Sequence, residues 1–239
     1  MVFVVQDFGE AFRLAGELMV SADSGLLEIV ALSLRVSLTA VAISCVIGLP
    51  IGAATAIARF PGRGVLLIVL NALMGLPPVV VGLIVYLHFS NAGPLGWMQL
   101  LYTPTAMIVA QVILIAPIIA ALSRQVLEDL YEEYEEQFRS MCVPAKTAVA
   151  ALIWDGRYSL LTVALAGFGR AMAEVGAVII VGGNIDHLTR VMTTAIALET
   201  SKGDLPMALA LGFVLLAIAL AVNALVMGVR LTAVRNAYA

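Results

Sequence analysis

The feature that most constrains this fold is a run of 60 residues, Gly64 to Ser123, that contains no Asp, Glu, Lys or Arg. A transmembrane helix needs roughly 20 mostly apolar residues, so the run is too long for one crossing and suits two. The turn formers and the tryptophan of Phe89–Trp97 predict that the chain reverses there. Because lipid offers the backbone no hydrogen bonds, each crossing must be a helix.

The composition supports further crossings. Hydrophobic residues make up 62% of the 239-residue chain and charged residues only 12%, whereas a soluble domain carries about 25% charged residues. The core of a chain of this length cannot bury all of these hydrophobic residues, so lipid must cover some of them. Three more apolar segments predict spans: Val36–Ala58 (starting near Leu27), Tyr158–Val181 and Leu205–Val229. The expected fold is an all-α polytopic membrane protein with about five transmembrane helices.

The chain ends predict two peripheral segments around a single transmembrane domain over residues 26–232. Within residues 1–25, Asp7–Val20 places apolar residues at helical spacing with charges between them, too short and too charged to span. This pattern favours an amphipathic helix at the membrane interface, and a loosely ordered terminus stays open as the alternative. No basic residue precedes Arg13, which argues against a signal peptide. Residues 233–239 form a tail.

The distribution of basic residues predicts the orientation. With the N-terminus outside, four basic residues lie in outer segments and eight lie inside. The inner ones are Arg59, Arg63, Arg124, Arg139, Lys146, Arg157, Arg230 and Arg235. Lys and Arg concentrate on the cytoplasmic side of membrane proteins. We therefore expect the N-terminus outside, the C-terminus in the cytoplasm, and the segment Arg124–Arg157 in the cytoplasm.

The segment Arg124–Arg157 is the one long charged stretch of the chain and holds seven of its 16 acids. Apolar and aromatic residues alternate with these acids at helical spacing until Pro144, and a short helical pattern then runs from Ala145 to Trp154. The expected structure is a helix, a break and a second short helix that project from the membrane. Such a knob suits a protein partner, although an ordinary solvated connection would have the same composition.

Part of this segment resembles the EAA loop of ABC importer permeases. Glu136 matches the loop's Glu, and Leu152 matches its later aliphatic position. Gln137-Phe138 replaces the two Ala residues, Cys142 replaces the Gly, and Trp154-Asp155 replaces the Leu-Pro.

The remaining chain resembles the molybdate/tungstate type of these permeases from about Leu26 onward. The matching segments are Ser33–Leu38, Ala58–Arg63, Gly75–Gly82, Tyr102–Ala106 and Gly167–Ala177. Gly182–Ile185 and Thr189–Asp204 look most like the tungstate-uptake branch.

The resemblance implies a type I ABC importer permease fold with a cytoplasmic coupling helix over about Pro144–Trp154. It implies that two copies pair in the plasma membrane of a prokaryote, contact cytoplasmic ATPase subunits, and receive an oxyanion, tungstate or molybdate, from an extracytoplasmic binding protein. The implied ATPase-coupling residues are Glu136, Arg139, Cys142, Pro144, Lys146 and Leu152. Where the family has a Gly that permits a tight turn, this chain has Cys142. Pro144, two residues later, is expected to supply the turn instead.

The resemblance also implies that this chain is not an enzyme and binds no cofactor, because a partner ATPase uses the ATP and Mg²⁺. The sequence contains no Gly-x-x-x-x-Gly-Lys-Ser/Thr phosphate-binding loop. Two histidines, His88 and His187, do not provide a catalytic or metal-binding constellation. The net charge of −3 argues against nucleic acid as a partner.

Two features inside the spans predict a translocation path or gate. Arg170 and Glu174 are spaced i,i+4, and charges in a membrane are expensive unless they face the bundle interior with a partner. They either line the oxyanion path or only pair to orient helices. Gly75, Pro77 and Pro78 interrupt the second span, which indicates a gate or cavity wall, or a plain kink.

A different class of transporter provides the alternative function. A self-sufficient secondary anion transporter tends to have internal repeats and several buried acids for ion coupling. Only Glu174 meets the second condition in this sequence. ATP-driven import is therefore the favoured interpretation.

Overall fold

The structure is a computed structural model that describes residues 9, 12–17, 24–58 and 60–237, without the side chains of 229, 231 and 233–237. From residue 24 onward, its regular elements are all helical. They are α1 (Ser24–Ile57), α2 (Arg63–Met74), α3 (Pro78–Phe89), a 3-10 turn (Gly96–Met98), α4 (Pro104–Ser140), α5 (Ala145–Asp155), α6 (Arg157–Met172), α7 (Gly176–Gly182), α8 (Met192–Lys202) and α9 (Leu205–Ala237).

Three of these helices are long and apolar enough to cross a membrane: α1, α4 and α9. Two further candidates are bent pairs, α2 with α3 at 97° and α5 with α6 at 72°. The described residues therefore provide three to five spans, which confirms the all-α polytopic fold. The expected break between the second and third predicted spans also occurs, because α3 ends at Phe89 and α4 starts at Pro104.

Helix α4 lies at the centre of the bundle. Four of its side chains are among the most buried in the described chain, each no more than 1% exposed: Met107, Ile115, Ile119 and Leu127. Helices α1, α2, α3, α6 and α7 all pack against it. This central position lets one helix contact both ends of the molecule.

Two glycines let α1 approach α4 closely. A Cβ atom at Gly48 would lie 2.9 Å from the Ala116 carbonyl, and one at Gly52 would lie 2.8 Å from the Ala120 carbonyl. Small residues four apart allow such backbone contact between membrane helices. These two positions therefore set the distance between the two longest helices of the bundle.

The fourth predicted span differs from the expectation. A continuous helix over Tyr158–Val181 is wrong, because α6 ends at Met172 and α7 begins at Gly176. Helix α8 follows α7, and it covers a stretch that the hydropathy pattern did not predict as a separate helix.

Half of the predicted interfacial segment Asp7–Val20 lies outside the described residues. Its described part, residue 9 and residues 12–17, is helical. There Ala15 is buried, and the Phe12 ring stacks on Phe213 of α9 with centroids 4.3 Å apart.

Candidate functional site

The expected projecting knob is built by α4 and α5, and residues Arg124–Asp155 are called the arm below. Helix α4 does not stop where its apolar run ends, and continues to Ser140. Tyr131 and Tyr134 pack against Phe138 there, with ring centroids 6.3 and 6.0 Å apart. These aromatic contacts stabilise the charged part of the helix after it leaves the apolar bundle.

The turn between α4 and α5 is made by Cys142. Its φ of 48° lies in the left-handed region. The Cys142 amide donates to the Arg139 carbonyl at 3.1 Å, and the Val143 amide donates to the Phe138 carbonyl at 2.9 Å. This pair of hydrogen bonds is a Schellman motif, in which Gly is the preferred residue at the left-handed position. The prediction that Pro144 replaces this turn is wrong, since Pro144 is extended and caps α5.

Helix α5 forms over Ala145–Asp155, which confirms the predicted second helix to within one residue. Leu152 is 1% exposed and packs in a cluster with Leu127 of α4 and Ala53 of α1. The Tyr134 hydroxyl donates to the Asp155 carboxylate at 2.9 Å. Helix α5 therefore packs against both α4 and α1, and the buried Leu152 side chain lies in that contact.

The other predicted coupling residues lie on the surface of the arm. Glu136, Arg139, Cys142, Pro144 and Lys146 are all exposed. Two large apolar side chains flank them, Met141 at 74% exposed and Trp154 at 71%. An exposed surface that mixes charges with large apolar side chains is suited to contact with a protein partner.

An ion triad fixes the base of the arm. Glu128 of α4 accepts from Arg63 of α2 at 2.5 Å and also pairs with Arg124 on its own helix. Arg63 donates a second hydrogen bond, from Nε to the Thr55 carbonyl of α1 at 2.8 Å. The triad therefore ties α1, α2 and α4 together where the arm begins.

The predicted gate residues of the second span lie next to the fourth span. Gly75 and Pro77 lie in the break between α2 and α3, and Pro78 starts α3. A Cβ atom at Gly176 would lie 3.0 Å from Val79 Cγ2 and 3.7 Å from Pro78 Cβ. The α2–α3 break and the α6–α7 break are therefore neighbours, and are called the paired breaks below.

Arg170 and Glu174 form the predicted ion pair at 2.6 Å. They do not share one helix face, because Glu174 lies beyond the end of α6. Its other carboxylate oxygen accepts from the Ala177 amide at 3.0 Å, and its carbonyl accepts from the Thr193 hydroxyl at 2.9 Å. Glu174 is buried at the break, whereas the Arg170 side chain that pairs with it is partly exposed.

The sequence interpretation missed a polar cluster beside the paired breaks. Gln111 of α4 is 3% exposed, and its Nε2 donates to the Ala171 carbonyl at 3.2 Å. Ser33 of α1 accepts from the Met192 amide at 2.8 Å. A polar residue inside an apolar membrane span is itself a signal of function. Gln111 is such a residue in the apolar part of α4, and this signal could have identified it from the sequence.

The end of the bundle opposite the arm carries a second charged group. His187 hydrogen-bonds the Glu28 carboxylate at 2.7 Å, and Arg190 donates to Asp186 at 2.7 Å. The Glu28 carboxylate, with Asp186 nearby, raises the pKa of His187 above its ordinary value. This pair joins the start of α1 to the loop between α7 and α8. No three His, Cys, Asp or Glu side chains of the described ranges converge as metal ligands would.

Comparison with known proteins identifies relatives over nearly the whole chain. The tungstate uptake system permease protein TupB of Peptoclostridium acidaminophilum is 43% identical over 217 residues, which cover 91% of this chain and 95% of that protein. A probable anion ABC transporter permease protein of Haloferax volcanii is 42% identical over 84% of this chain and 88% of its own. The sulfate transport system permease protein CysW of Synechocystis is 31% identical over 74% of this chain and 68% of its own. No family model matches the chain.

These identities confirm the resemblance drawn from the sequence segments. The chain therefore belongs to the ABC transporter permeases of the anion type, as a multi-pass membrane subunit that is not itself catalytic.

Proposed function

We propose that this chain is the permease of an ATP-driven importer for a tungstate-type oxyanion, tungstate or molybdate. The observation that carries the proposal is the 43% identity to a tungstate uptake permease over 91% of the chain. The Campylobacter jejuni tungstate permease, 39% identical over 65% of this chain, supports the same substrate class. The sulfate permease CysW is less similar, at 31% identity.

The arm is proposed to be the contact with a cytoplasmic ATPase. It carries exposed charges and two exposed apolar side chains, Met141 and Trp154, on a rigid base. Glu136, Arg139, Cys142, Pro144 and Lys146 form the contact surface in this proposal, and buried Leu152 transmits force into α4 and α1. Movement of α5 during the ATPase cycle then moves α4 directly.

The paired breaks are proposed to be the gate of the oxyanion path. A gate needs helices that are already interrupted, because opening an intact helix in lipid exposes unpaired backbone groups. Gly75, Pro77 and Pro78 provide one interruption, and Glu174 caps the other. Arg170, partly exposed and held by Glu174, would offer an oxyanion positive charge along its route.

The assembly is proposed to be a homodimer with the N-terminus outside and the arm in the cytoplasm. The α2–α3 pair exposes a broad apolar face that lipid or a second copy must cover, including Ile68, Leu83 and Leu87. An extracytoplasmic binding protein would deliver the oxyanion to the end of the bundle that carries His187. The excess of Lys and Arg on the arm side supports this orientation.

Reconstitution tests the proposal. The permease and its ATPase are placed in proteoliposomes, and binding protein loaded in turn with tungstate, molybdate or sulfate is added. We expect ATP-dependent uptake and stimulated ATP hydrolysis with tungstate or molybdate, and less of both with sulfate. Anion uptake driven by a proton gradient in the absence of the ATPase would instead identify a secondary transporter.

A further inference from the structure

We propose that Gln111 is a positioning residue that links the arm to the paired breaks. The proposal rests on the proposed transport function, and it concerns how movement reaches the gate. Gln111 is buried in the first half of α4, and its side-chain amide reaches α6, 60 residues further along the chain, at Ala171. None of the sequence segments that indicated the family includes Gln111.

The bond partner of Gln111 is a carbonyl that the helix end has freed. In an uninterrupted helix the Ala171 carbonyl would accept from the amide of Val175. Because α6 ends at Met172, it accepts instead from the Glu174 amide at 3.3 Å and from Gln111 Nε2 at 3.2 Å. The Gln111 amide is therefore a second donor to this carbonyl, and its hydrogen bond adds to the stability of the interrupted form of the helix at this point.

Gln111 also lines a small polar cavity. Its Oε1 is buried and has no hydrogen-bond partner among the described atoms. The cavity is lined by Gln111, Ser37, Glu174 and Thr193 among others, and the space open to the centre of a water molecule is ≈ 10 Å³. That is about the space that one ordered water needs. A water there would satisfy Oε1 and join Gln111 to the polar atoms of α1 and the α6–α7 break.

Helix α4 can carry movement between the two sites. From Gln111 to Glu136 the helix covers roughly 37 Å at 1.5 Å per residue. Pro117 removes one hydrogen bond on the way, but α1 supports α4 at that point, since a Cβ at Gly48 would meet the Ala116 carbonyl at 2.9 Å. A displacement of the arm therefore reaches Gln111, and through Ala171 it reaches the residues that Glu174 organises.

The test compares three permease variants in the reconstituted complex. Gln111→Met removes both hydrogen-bonding atoms at similar volume, and Gln111→Asn keeps the amide but is too short to reach Ala171. Thr105→Val is the matched control, because Thr105 is exposed on the same helix and lies outside the arm. We expect both Gln111 variants to hydrolyse ATP while the oxyanion transported per ATP falls by about three- to ten-fold, the effect of one hydrogen bond on an equilibrium. The control should match the wild type.

Hydrogen exchange of the same complexes separates this inference from the proposed function. The amides of Glu174 and Ala177 should exchange about three- to ten-fold faster in both Gln111 variants than in the control, because the break loses a stabilising bond. Unchanged exchange, or an unchanged ratio of anion to ATP, would overturn the positioning role. Failure of both Gln111 variants to assemble with the ATPase would show that Gln111 only packs. Absence of uptake by the wild-type complex would contradict the proposed function instead, while the exchange measurement still decides the role of Gln111.

Discussion

At the scale of single residues, Cys142 shows how a departure from a family pattern can keep the same backbone. The family has Gly at the left-handed position of this turn, and Cys142 adopts that conformation at a φ of 48°. A non-glycine residue there brings its Cβ close to the carbonyl oxygen, which costs roughly 1–2 kcal/mol. The Schellman hydrogen bonds therefore determine the backbone of this turn, and Cys142 adopts the left-handed conformation that they require.

Replacing this residue should stabilise the arm. Cys142→Gly relieves the strained conformation, and the greater freedom of Gly in the unfolded chain offsets part of the gain. We expect a net stabilisation of about 0.5–1 kcal/mol, measured by thermal unfolding of the purified permease. Cys142→Ser is the control, because it removes the thiol and keeps the Cβ. An equal gain in both variants would show that the thiol, and not the backbone conformation, carries the effect.

At the scale of elements, the contact between α1 and α4 depends on the absence of side-chain atoms. Gly52 lies against backbone atoms of α4, the Ala120 carbonyl and the Arg124 amide, that cannot rotate away. Any added methyl group must push the two helices apart. The ion triad and the Leu152 cluster lie beside this contact, so they depend on it as well.

Substitution of this glycine should therefore weaken the bundle. Gly52→Ala is expected to destabilise the permease by about 1–3 kcal/mol, as overpacking of a close contact does. The matched control is Gly212→Ala on α9, where nothing lies within 4 Å of the added carbon and the higher helix propensity of Ala should be neutral or stabilising. Thermal unfolding of both variants checks the difference. Equal effects would contradict the close packing of α1 on α4.

The elements that the sequence predicted well are those with a local cause. The turn formers in the charge-free run from Gly64 to Ser123 predicted the break between α3 and α4, and the apolar spacing after Pro144 predicted α5. The end of α6 at Met172 was not predicted. Its cause is not local, because the break is stabilised by Gln111 from α4 and by Thr193 from α8. Hydropathy counts apolar residues and carries no information on such tertiary hydrogen bonds.

The features of the candidate site also divide into those that neighbouring residues of the chain predict and those that depend on distant residues. The Arg170–Glu174 pair followed from spacing, and the Glu128 triad did not, because Arg63 is 65 residues away from Glu128 along the chain. Leu152 was assigned to the coupling segment from its position in the resemblance. Its burial against α1 gives it the role of an anchor, while Glu136 remains on the surface.

At the scale of the whole molecule, α4 is the element that joins the two proposed functional regions. Its first half contacts the paired breaks through Gln111, and its charged half carries α5 through Leu127 and Tyr134. The ion triad prevents the arm from moving independently of α1 and α2. In this arrangement we propose that a force on the exposed face of the arm passes along α4 to the paired breaks.

The most direct measurement of the central claim is ATP-driven oxyanion uptake by reconstituted complexes that carry Glu136→Arg. This charge reversal lies on the exposed face of the arm, where we propose that the ATPase docks. Glu17→Arg, the same reversal at an exposed acid outside the arm, is the control. We predict at least a roughly ten-fold loss of tungstate uptake in the Glu136 variant, as expected when about 1.4 kcal/mol of a coupling contact is removed, with ATP hydrolysis retained and the control near wild type. Wild-type uptake by the Glu136 variant would contradict the assignment of the arm as the coupling contact.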